Sequence, residues 1–379
     1  MVEVLKPMIK KAIVILLTNL ALITTSTAGD LSSNIETISY NFIQAKIKNI
    51  DSTDLNNSKL IFRLMGDLEG RSIILKIKNK DKKTIGVFKP SSGSTLHRGE
   101  YASFKLACLL GFNVYAPSGL KSIDTKNQKR IVQLLESVVF NKDHGKKFKK
   151  DIEKKEKNRK IILEELKQNI KTDQALEGVY KPWFKNISFY VPLGTIKGLK
   201  KHAIYKYLNY KAKQPPHKKI NLKQCTKIFK PVGCTNGYAY IDNLSKDISS
   251  IIVLDSIMGN NDRFPGGNLH FRALNNKEVV KKPKDIDFKE VRLFSLDNGA
   301  VLRPKDKTAF KILKNLKISR FVKKHIDKLK ELQKTKDTEL KKDLGLNPEE
   351  FNIFKSNLSR TLAYINSLEK KHGSSIWFN

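Results

Sequence analysis

The chain is 379 residues long, is 40% hydrophobic and carries a formal net charge of +36. This length exceeds one small domain and fits two packed units, and the apolar content excludes a wholly disordered chain. Three cysteines are too few for a disulfide-rich scaffold.

The positive charge is carried mostly by Lys, since only eleven of the 73 basic residues are Arg. Phosphate-binding surfaces favour clustered Arg, because its planar guanidinium binds phosphate through two parallel hydrogen bonds. We therefore interpret the charge mainly as a source of solubility, with attraction to an anionic membrane surface or to nucleic acid as the alternative. The aromatic residues do not alternate with Arg, and no zinc-ligand or helix-turn-helix pattern stands out, so we expect no specific nucleic-acid binding.

Residues 1–28 have the layout of a secretory signal peptide. Lys10 and Lys11 precede an apolar stretch at 12–23, and small residues end at Ala28. The apolar stretch is short for a transmembrane helix. We expect cleavage after Ala28 and a secreted or periplasmic protein; the alternative is a buried amphipathic helix.

The first folded unit is predicted over residues 58–138, after a polar lead-in segment at 30–57. Alternating apolar residues between turn signals predict three strands. Their predicted bounds are Leu60–Met65, Ser72–Lys76 and Thr84–Lys89. An apolar face followed by Gly111 predicts a helix over 98–112, and "RIVQLLESVVF" at 130–140 is a predicted strand.

The second unit, residues 139–379, is predicted to be mostly helical. It starts with a charged stretch at 142–171, whose pattern predicts a helix with a solvated face or an insertion. Residues 306–372 predict about three helices, separated around Lys334–Asp337 and Gly345–Pro348. The predicted fold class is therefore α+β, with a β-rich N-terminal lobe and a larger, mostly α C-terminal lobe.

Five polar residues occur in an order that favours phosphoryl transfer. Lys89 ends the strand "GVFKP", Glu100 lies in the next helix, Asp262 and Asn268 lie in "NNDRFPGGN", and Asp297 follows "VRLFSL". Phosphoryl transfer needs a cation on the phosphates, oxygen ligands for Mg²⁺ and a carboxylate near the acceptor hydroxyl. Each residue alone has an ordinary explanation, such as a surface Lys, a helix-dipole partner, a cap or a hairpin turn. Their order and spacing together favour the chemical interpretation.

The segments "VLDSIMGNNDRFPGGN" and "FSLDNGAVLRP" resemble the catalytic and metal-binding segments of the protein-kinase-like superfamily. The nearest resemblance is to its atypical members, the type II phosphatidylinositol 4-kinases, actin-fragmin kinase and the HipA-type kinases. "IGVFKP" resembles their nucleotide-lysine strand, and "HRGEYASFKLACLLGFNVYAPSG" resembles the helix and strand that follow it. The resemblance covers residues 58–140 and 250–305 and implies a two-lobed kinase fold.

The resemblance also implies roles for these residues. Asp262 becomes the catalytic carboxylate, Asn268 and Asp297 the Mg²⁺ ligands, and Lys89 a catalytic and ATP-binding residue that clamps the phosphates. Glu100 becomes the partner of Lys89 in the nucleotide site.

Adenine would contact backbone groups of Leu135, Glu136 and Ser137, and Asp255 would be a structural brace. One departure is a catalytic loop with five residues between Asp262 and Asn268, where the family pattern has four. A tidy Gly-rich loop is also missing; the turn Gly66–Arg71 and the run "SSGST" are two candidates for covering the phosphates.

The resemblance implies an ATP- and Mg²⁺-dependent kinase that moves the γ-phosphate to a hydroxyl. The loop "NDRFP" is similar to that of actin-fragmin kinase, so Ser or Thr of a protein is the expected acceptor, possible substrates being a host or envelope protein. One alternative is a phosphatidylinositol (lipid) kinase, which the Lys-rich surface would support. Another is a pseudokinase that binds nucleotide without turnover.

Overall fold

The structure is a computed structural model of the chain. It describes residues 46–65, 73–91, 97–112, 115–138, 145–183, 187–189, 195–225, 234–264, 269–273, 289–295, 301–302 and 308–379. Several predictions fall outside these described residues. They are the signal peptide at 1–28, the turn Gly66–Arg71, most of "SSGST", Asn268 and Asp297.

The first sheet has five antiparallel strands in the order β1-β2-β3-β5-β4. The strands are β1 (Ile61–Leu64), β2 (Leu75–Lys78), β3 (Thr84–Pro90), β4 (Gly119–Ile123) and β5 (Leu176–Pro182). The three predicted strands are confirmed, although the second begins at Leu75 instead of Ser72. In β3, buried Gly86, Phe88 and Pro90 alternate with half-buried residues, as expected for a strand with two different faces.

Four helices accompany this sheet. They are α1 (46–52), α2 (His97–Leu109), α3 (Thr125–Glu136) and α4 (Gly145–Lys171). The helices predicted around 98–112 and 142–171 are confirmed.

The strand predicted at 130–140 is wrong, because residues 130–136 continue helix α3. The Asp124 carboxylate accepts a hydrogen bond of 2.8 Å from the Asn127 amide and so caps the helix. Ile131 and Leu135, four residues apart, are fully buried on one helix face. The cap and this helical period outweigh the β-branched residues that favoured a strand.

The first unit extends beyond residue 138, where the sequence suggested a boundary. Strand β5 lies between β3 and β4 in the sheet, although it follows the 27-residue helix α4. Ile162 and Leu166 of α4 are buried in the same hydrophobic core as Phe88. The charged stretch is therefore an insertion with one face packed against α3 and buried in the first core.

The second sheet has the order β6-β9-β10-β8-β7, in which only β8 and β10 pair in parallel among the described pairings. Its strands are β6 (Ile187–Phe189), β7 (Lys219–Cys225), β8 (Cys234–Tyr240), β9 (Leu269–Ala273) and β10 (Lys289–Ser295). Cys225 and Cys234 are backbone register partners.

Helix α6 (Ile241–Met258) is the centre of the second core, and nearly all of its residues are buried. It ends at Gly259, whose φ of 70° lies in the left-handed region that favours glycine. The apolar run at 251–258, which reads as strand or helix in the sequence, is therefore a buried helix.

Helices make up most of the C-terminal part. They are α5 (Ile196–Lys201), α7 (Thr308–Asn315), α8 (Lys323–Lys334), α9 (Asp337–Leu344) and α10 (Pro348–His372). The two predicted breaks between α8, α9 and α10 are confirmed. Gly345 has a φ of 64° after α9, and Asn347 forms a capping box with Glu350 at the start of α10. The prediction of about three helices missed the additional break before α8.

Helix α2 joins the two parts of the molecule. Its first turn carries Glu100, which faces Lys89 on the first sheet, while Phe104 and Leu106 belong to the second core with α6. The fold class is α+β, with an antiparallel sheet in the N-terminal part and mostly helices later. Over the described ranges, we find no helix with the length and apolar character needed to span a membrane.

Candidate active site

Lys89 and Glu100 lie together, as the sequence suggests. The Lys89 Nζ is 3.8 Å from Glu100 Oε1, and the two side chains are 12% and 1% exposed. The neighbouring Phe88 points to the opposite face of the sheet, into the first core. Strand alternation therefore directs Lys89 toward α2.

Lys181 is a third member of this group, and the sequence analysis missed it. Its Nζ donates a hydrogen bond of 2.7 Å to Glu100 Oε1, which makes it a closer partner than Lys89. The register pairs Lys89 with Val179 and Val87 with Lys181, so both lysines lie on one face of neighbouring strands. The sequence signal was the recurrence of "GVFKP" at 86–90 as "GVYKP" at 178–182.

A second group of charged residues surrounds Asp255 near the end of α6. Arg263 donates from Nε to Asp255 Oδ2 at 2.9 Å and from Nη2 to Oδ1 at 2.8 Å. The Tyr115 hydroxyl lies 3.3 Å and the Asn260 amide nitrogen 3.1 Å from the same Oδ1. These contacts fit the bracing role that the resemblance implies for Asp255.

Burial and charge determine the protonation states in this second group. Burial raises the pKa of Tyr115 well above its usual value, and the Asp255 carboxylate adds to the rise. Burial alone would lower the pKa of Arg263, but attraction by Asp255 outweighs burial, and its pKa is raised. Tyr115 therefore stays a neutral hydroxyl and Arg263 a cation.

Asp262 lies at the start of the loop that the Asp255 group holds. It is half-buried, and its backbone amide donates a hydrogen bond of 3.1 Å to Asn260 Oδ1. The same Asn260 side chain contacts Asp255. The backbone that carries Asp262 is therefore connected through one side chain to the buried ion pair.

Asn268 and Asp297 lie outside the described residues, but Leu269 and Ser295, which lie one and two residues away along the chain, are described. Leu269, which directly follows Asn268, is the register partner of Ser295, two residues before Asp297. The Ser295 carbonyl accepts a hydrogen bond of 3.1 Å from the Ala116 amide. Among described residues, no three His, Cys, Asp or Glu side chains group together as metal ligands.

Leu135, Glu136 and Ser137 lie at the end of helix α3 and not on the predicted strand. Leu135 is buried in the first core, Glu136 forms an ion pair of 2.7 Å with Lys167 of α4, and Ser137 is the C-cap of α3. Their predicted contact with adenine assumed a strand leading out of the first sheet. These residues end a helix instead, and the next strand of the first sheet along the chain is β5.

Comparison with known proteins gives structural similarity only. Neither a family model nor a curated protein matches the sequence. The Golgi casein kinase with Mn/ADP bound is 15% identical, with a TM-score of 0.49, covering 88% of this chain and 77% of that one. Another structure of the Golgi casein kinase is 16% identical at a TM-score of 0.49, covering 86% and 77%. Hydra Fam20 with sugar is 13% identical at a TM-score of 0.48, covering 87% and 90%. Identities this low carry no information on substrate.

Proposed function

We propose that the chain is an ATP-dependent phosphotransferase with a two-lobed, protein-kinase-like organisation, and that it moves the γ-phosphate to a hydroxyl. The observation that carries this proposal is the convergence of Lys89 and Lys181 on Glu100. Sequence resemblance independently assigns Lys89 to the nucleotide phosphates. The proposal is therefore supported by the contacts of Lys89 and Lys181 with Glu100 and by the order of the kinase-like motifs along the sequence.

The lysine group has the chemistry of a phosphate site. Two ammonium groups and one carboxylate sum to one positive charge, and all three side chains are largely withdrawn from solvent. Charge interactions are stronger where water is excluded, so a polyphosphate would be attracted to this face of β3 and β5. Glu100 lies in the first turn of α2, at the positive end of the helix dipole.

The proposed Mg²⁺ ligands are Asn268 and Asp297. The described residues nearest to them along the chain, Leu269 and Ser295, are opposed on β9 and β10. Amide and carboxylate oxygens are suitable ligands for Mg²⁺. When bound, the ion would neutralise charge on the phosphate oxygens.

Asp262 is proposed to accept the proton of the acceptor hydroxyl and to orient that hydroxyl. Its loop backbone is tied through Asn260 to Asp255 and Arg263. A rigid support of this kind favours transfer, because phosphoryl transfer depends mainly on positioning.

The proposed acceptor is Ser or Thr of a protein, as the loop "NDRFP" suggests. Export through residues 1–28 would make an extracytoplasmic substrate the natural choice. The test is incubation of the purified chain with labelled ATP and Mg²⁺, together with protein mixtures and, separately, phosphatidylinositol vesicles. Asp262→Asn is the matched inactive variant.

We expect label in protein with the wild-type chain and none with Asp262→Asn, which should still bind nucleotide. Label in lipid alone would refute the protein acceptor and leave the phosphotransferase proposal intact. Thermal stabilisation by ATP and Mg²⁺ without any transfer would indicate a pseudokinase. Absence of both binding and transfer would refute the proposal.

A further inference from the structure

Strands β3 and β5 carry two copies of one short motif that pair with each other. "GVFKP" at 86–90 runs antiparallel to "GVYKP" at 178–182, with Gly86 opposite Pro182 and Pro90 opposite Gly178. Phe88 and Tyr180 oppose each other at the centre of the pair. A local two-fold relation therefore makes Lys89 and Lys181 equivalent positions.

The other face of this pair fixes the register. A Cβ atom on Gly86 would lie 2.4 Å from the Tyr180 ring, and one on Gly178 would lie 2.5 Å from the Phe88 ring. Each glycine thus leaves room for the aromatic ring of the opposite copy, and both rings are fully buried. Since a slip of one residue would turn the lysines to the other face, this packing also fixes the lysine positions.

The two lysines are equivalent in position but not in their contact with Glu100. The distance to Glu100 Oε1 is 2.7 Å from Lys181 and 3.8 Å from Lys89. Only the first is a hydrogen-bond distance. Lys181 therefore holds the carboxylate, and Lys89 is the member of the pair that lies farther from it.

We infer that Lys181 is a positioning residue, which keeps Glu100 paired while Lys89 binds the nucleotide phosphates. The inference rests on the proposed function and adds a residue to it. A buried carboxylate left without a cation would be strongly destabilised. If Lys89 alone paired with Glu100, its movement to a phosphate would create that situation. With Lys181 in place, Glu100 retains a partner, and α2 keeps its contact with the sheet.

Steady-state kinetics with ATP test this role. We expect Lys181→Met to lower kcat/KM for ATP by about 100-fold, since a misplaced phosphate-binding group has an effect of this size. Lys181→Arg, which preserves the charge, should recover most of the loss. Lys83→Met is the matched control, because Lys83 is an exposed residue of the turn before β3, and its kinetics should equal wild type.

A double-mutant cycle separates action through Glu100 from direct action. In the Glu100→Gln background, Lys181→Met should lower kcat/KM by less than about threefold further, because the carboxylate that it serves is gone. An undiminished loss in that background, or wild-type kinetics of Lys181→Met, would overturn the inference. If Lys181→Met does not fold, the double variant Glu100→Gln/Lys181→Met is compared with Glu100→Gln alone. The double variant has no buried Glu100 carboxylate that lacks its Lys181 partner.

Hydrogen exchange of the α2 amides gives a readout that needs no transfer activity. Loss of Lys181 should speed exchange across residues 97–109, and loss of Lys89 should leave it near wild type. Unchanged exchange in Lys181→Met would overturn the inference. A wild-type chain that neither binds nor turns over ATP, yet shows this exchange pattern, would refute the proposed function while retaining the tie between Lys181 and Glu100.

Discussion

Two buried carboxylates anchor the molecule in different ways. Asp255 has a bidentate Arg partner and further contacts with a phenol and an amide. Glu100 has two lysines on neighbouring strands, at unequal distances. The first group fixes a loop through matched charges, whereas the second combines one anion with two cations. An excess of positive charge is suited to a ligand that brings its own negative charge.

The largest expected effect concerns the residue that the Asp255 group supports. Asp262→Ala should lower transfer by about 1,000-fold, because it removes the carboxylate that we propose orients the acceptor. Nucleotide affinity and thermal stability should stay near wild type. Single-turnover transfer and nucleotide titration on the same preparation measure both. Wild-type turnover of the variant would remove Asp262 from the site.

Breaking the Asp255 group should affect stability. Arg263→Met should lower the free energy of unfolding by about 3–5 kcal/mol, because it leaves the Asp255 carboxylate buried without its guanidinium. Urea denaturation measures the change. The paired variant Asp255→Leu/Arg263→Met is the control and should recover part of the loss. Equal losses in the single and paired variants would show that packing, not charge, explains the effect.

The glycine and aromatic residues that fix the β3–β5 register lie on the face of the sheet opposite Lys89 and Lys181. Gly178→Ala should destabilise the first unit by about 1–3 kcal/mol, because its Cβ would overlap the Phe88 ring and lie 2.6 Å from the Lys89 carbonyl oxygen. Gly373→Ala is a useful comparison, since nothing lies within 4 Å of a Cβ there, although its φ of 57° adds backbone strain. Gly178→Ala with unchanged stability and unchanged ATP affinity would contradict the tight β3–β5 packing.

A buried histidine in the second core should make the stability depend on pH. Burial, and then Lys324, Lys328 and Arg292, lower the pKa of His325 to about 3. Its Nδ1 lies 2.9 Å from the Ser250 hydroxyl. Between its ordinary pKa of 6.5 and about 3, the unfolded chain binds a proton that the folded chain does not.

Stability should therefore fall with falling pH in this window, by up to about 1.4 kcal/mol per pH unit from this group. His325→Gln should reduce the slope, because Gln does not titrate. The pKa values of His97 and His202 are also lowered by burial. Both residues are present in the wild type and in His325→Gln, so they do not contribute to the difference between the two slopes. Identical slopes below pH 6.5 would show that His325 is already solvated in the folded chain.

The sequence predicts those features whose physical causes are local. Turn residues define β1 to β3, and Gly345 with Pro348 separates the last helices. The pairing of Lys89 with Glu100 also follows from a strand and the next helix. In the 130–140 segment, β-branched residues concealed the period of a helix capped by Asp124.

The residues next to Lys181 in the sequence do not indicate its position beside Glu100, because α4 lies between β5 and the other strands of the first sheet along the chain. Its only sequence signal is the repeated "GV-aromatic-KP" motif. A match between two five-residue segments becomes meaningful once the strands are seen to pair. Long-range strand pairing of this kind depends on tertiary packing, which local propensity does not encode.

Calorimetric binding of ATP and Mg²⁺ to the wild type and to Lys89→Met tests the central claim most directly. The account predicts measurable binding to the wild type, at least about tenfold weaker binding to Lys89→Met, a loss typical of one charged contact, and no change in Lys83→Met. Equal affinity of the wild type and Lys89→Met, or no binding to the wild type, would contradict the assignment of this lysine group as a nucleotide phosphate site.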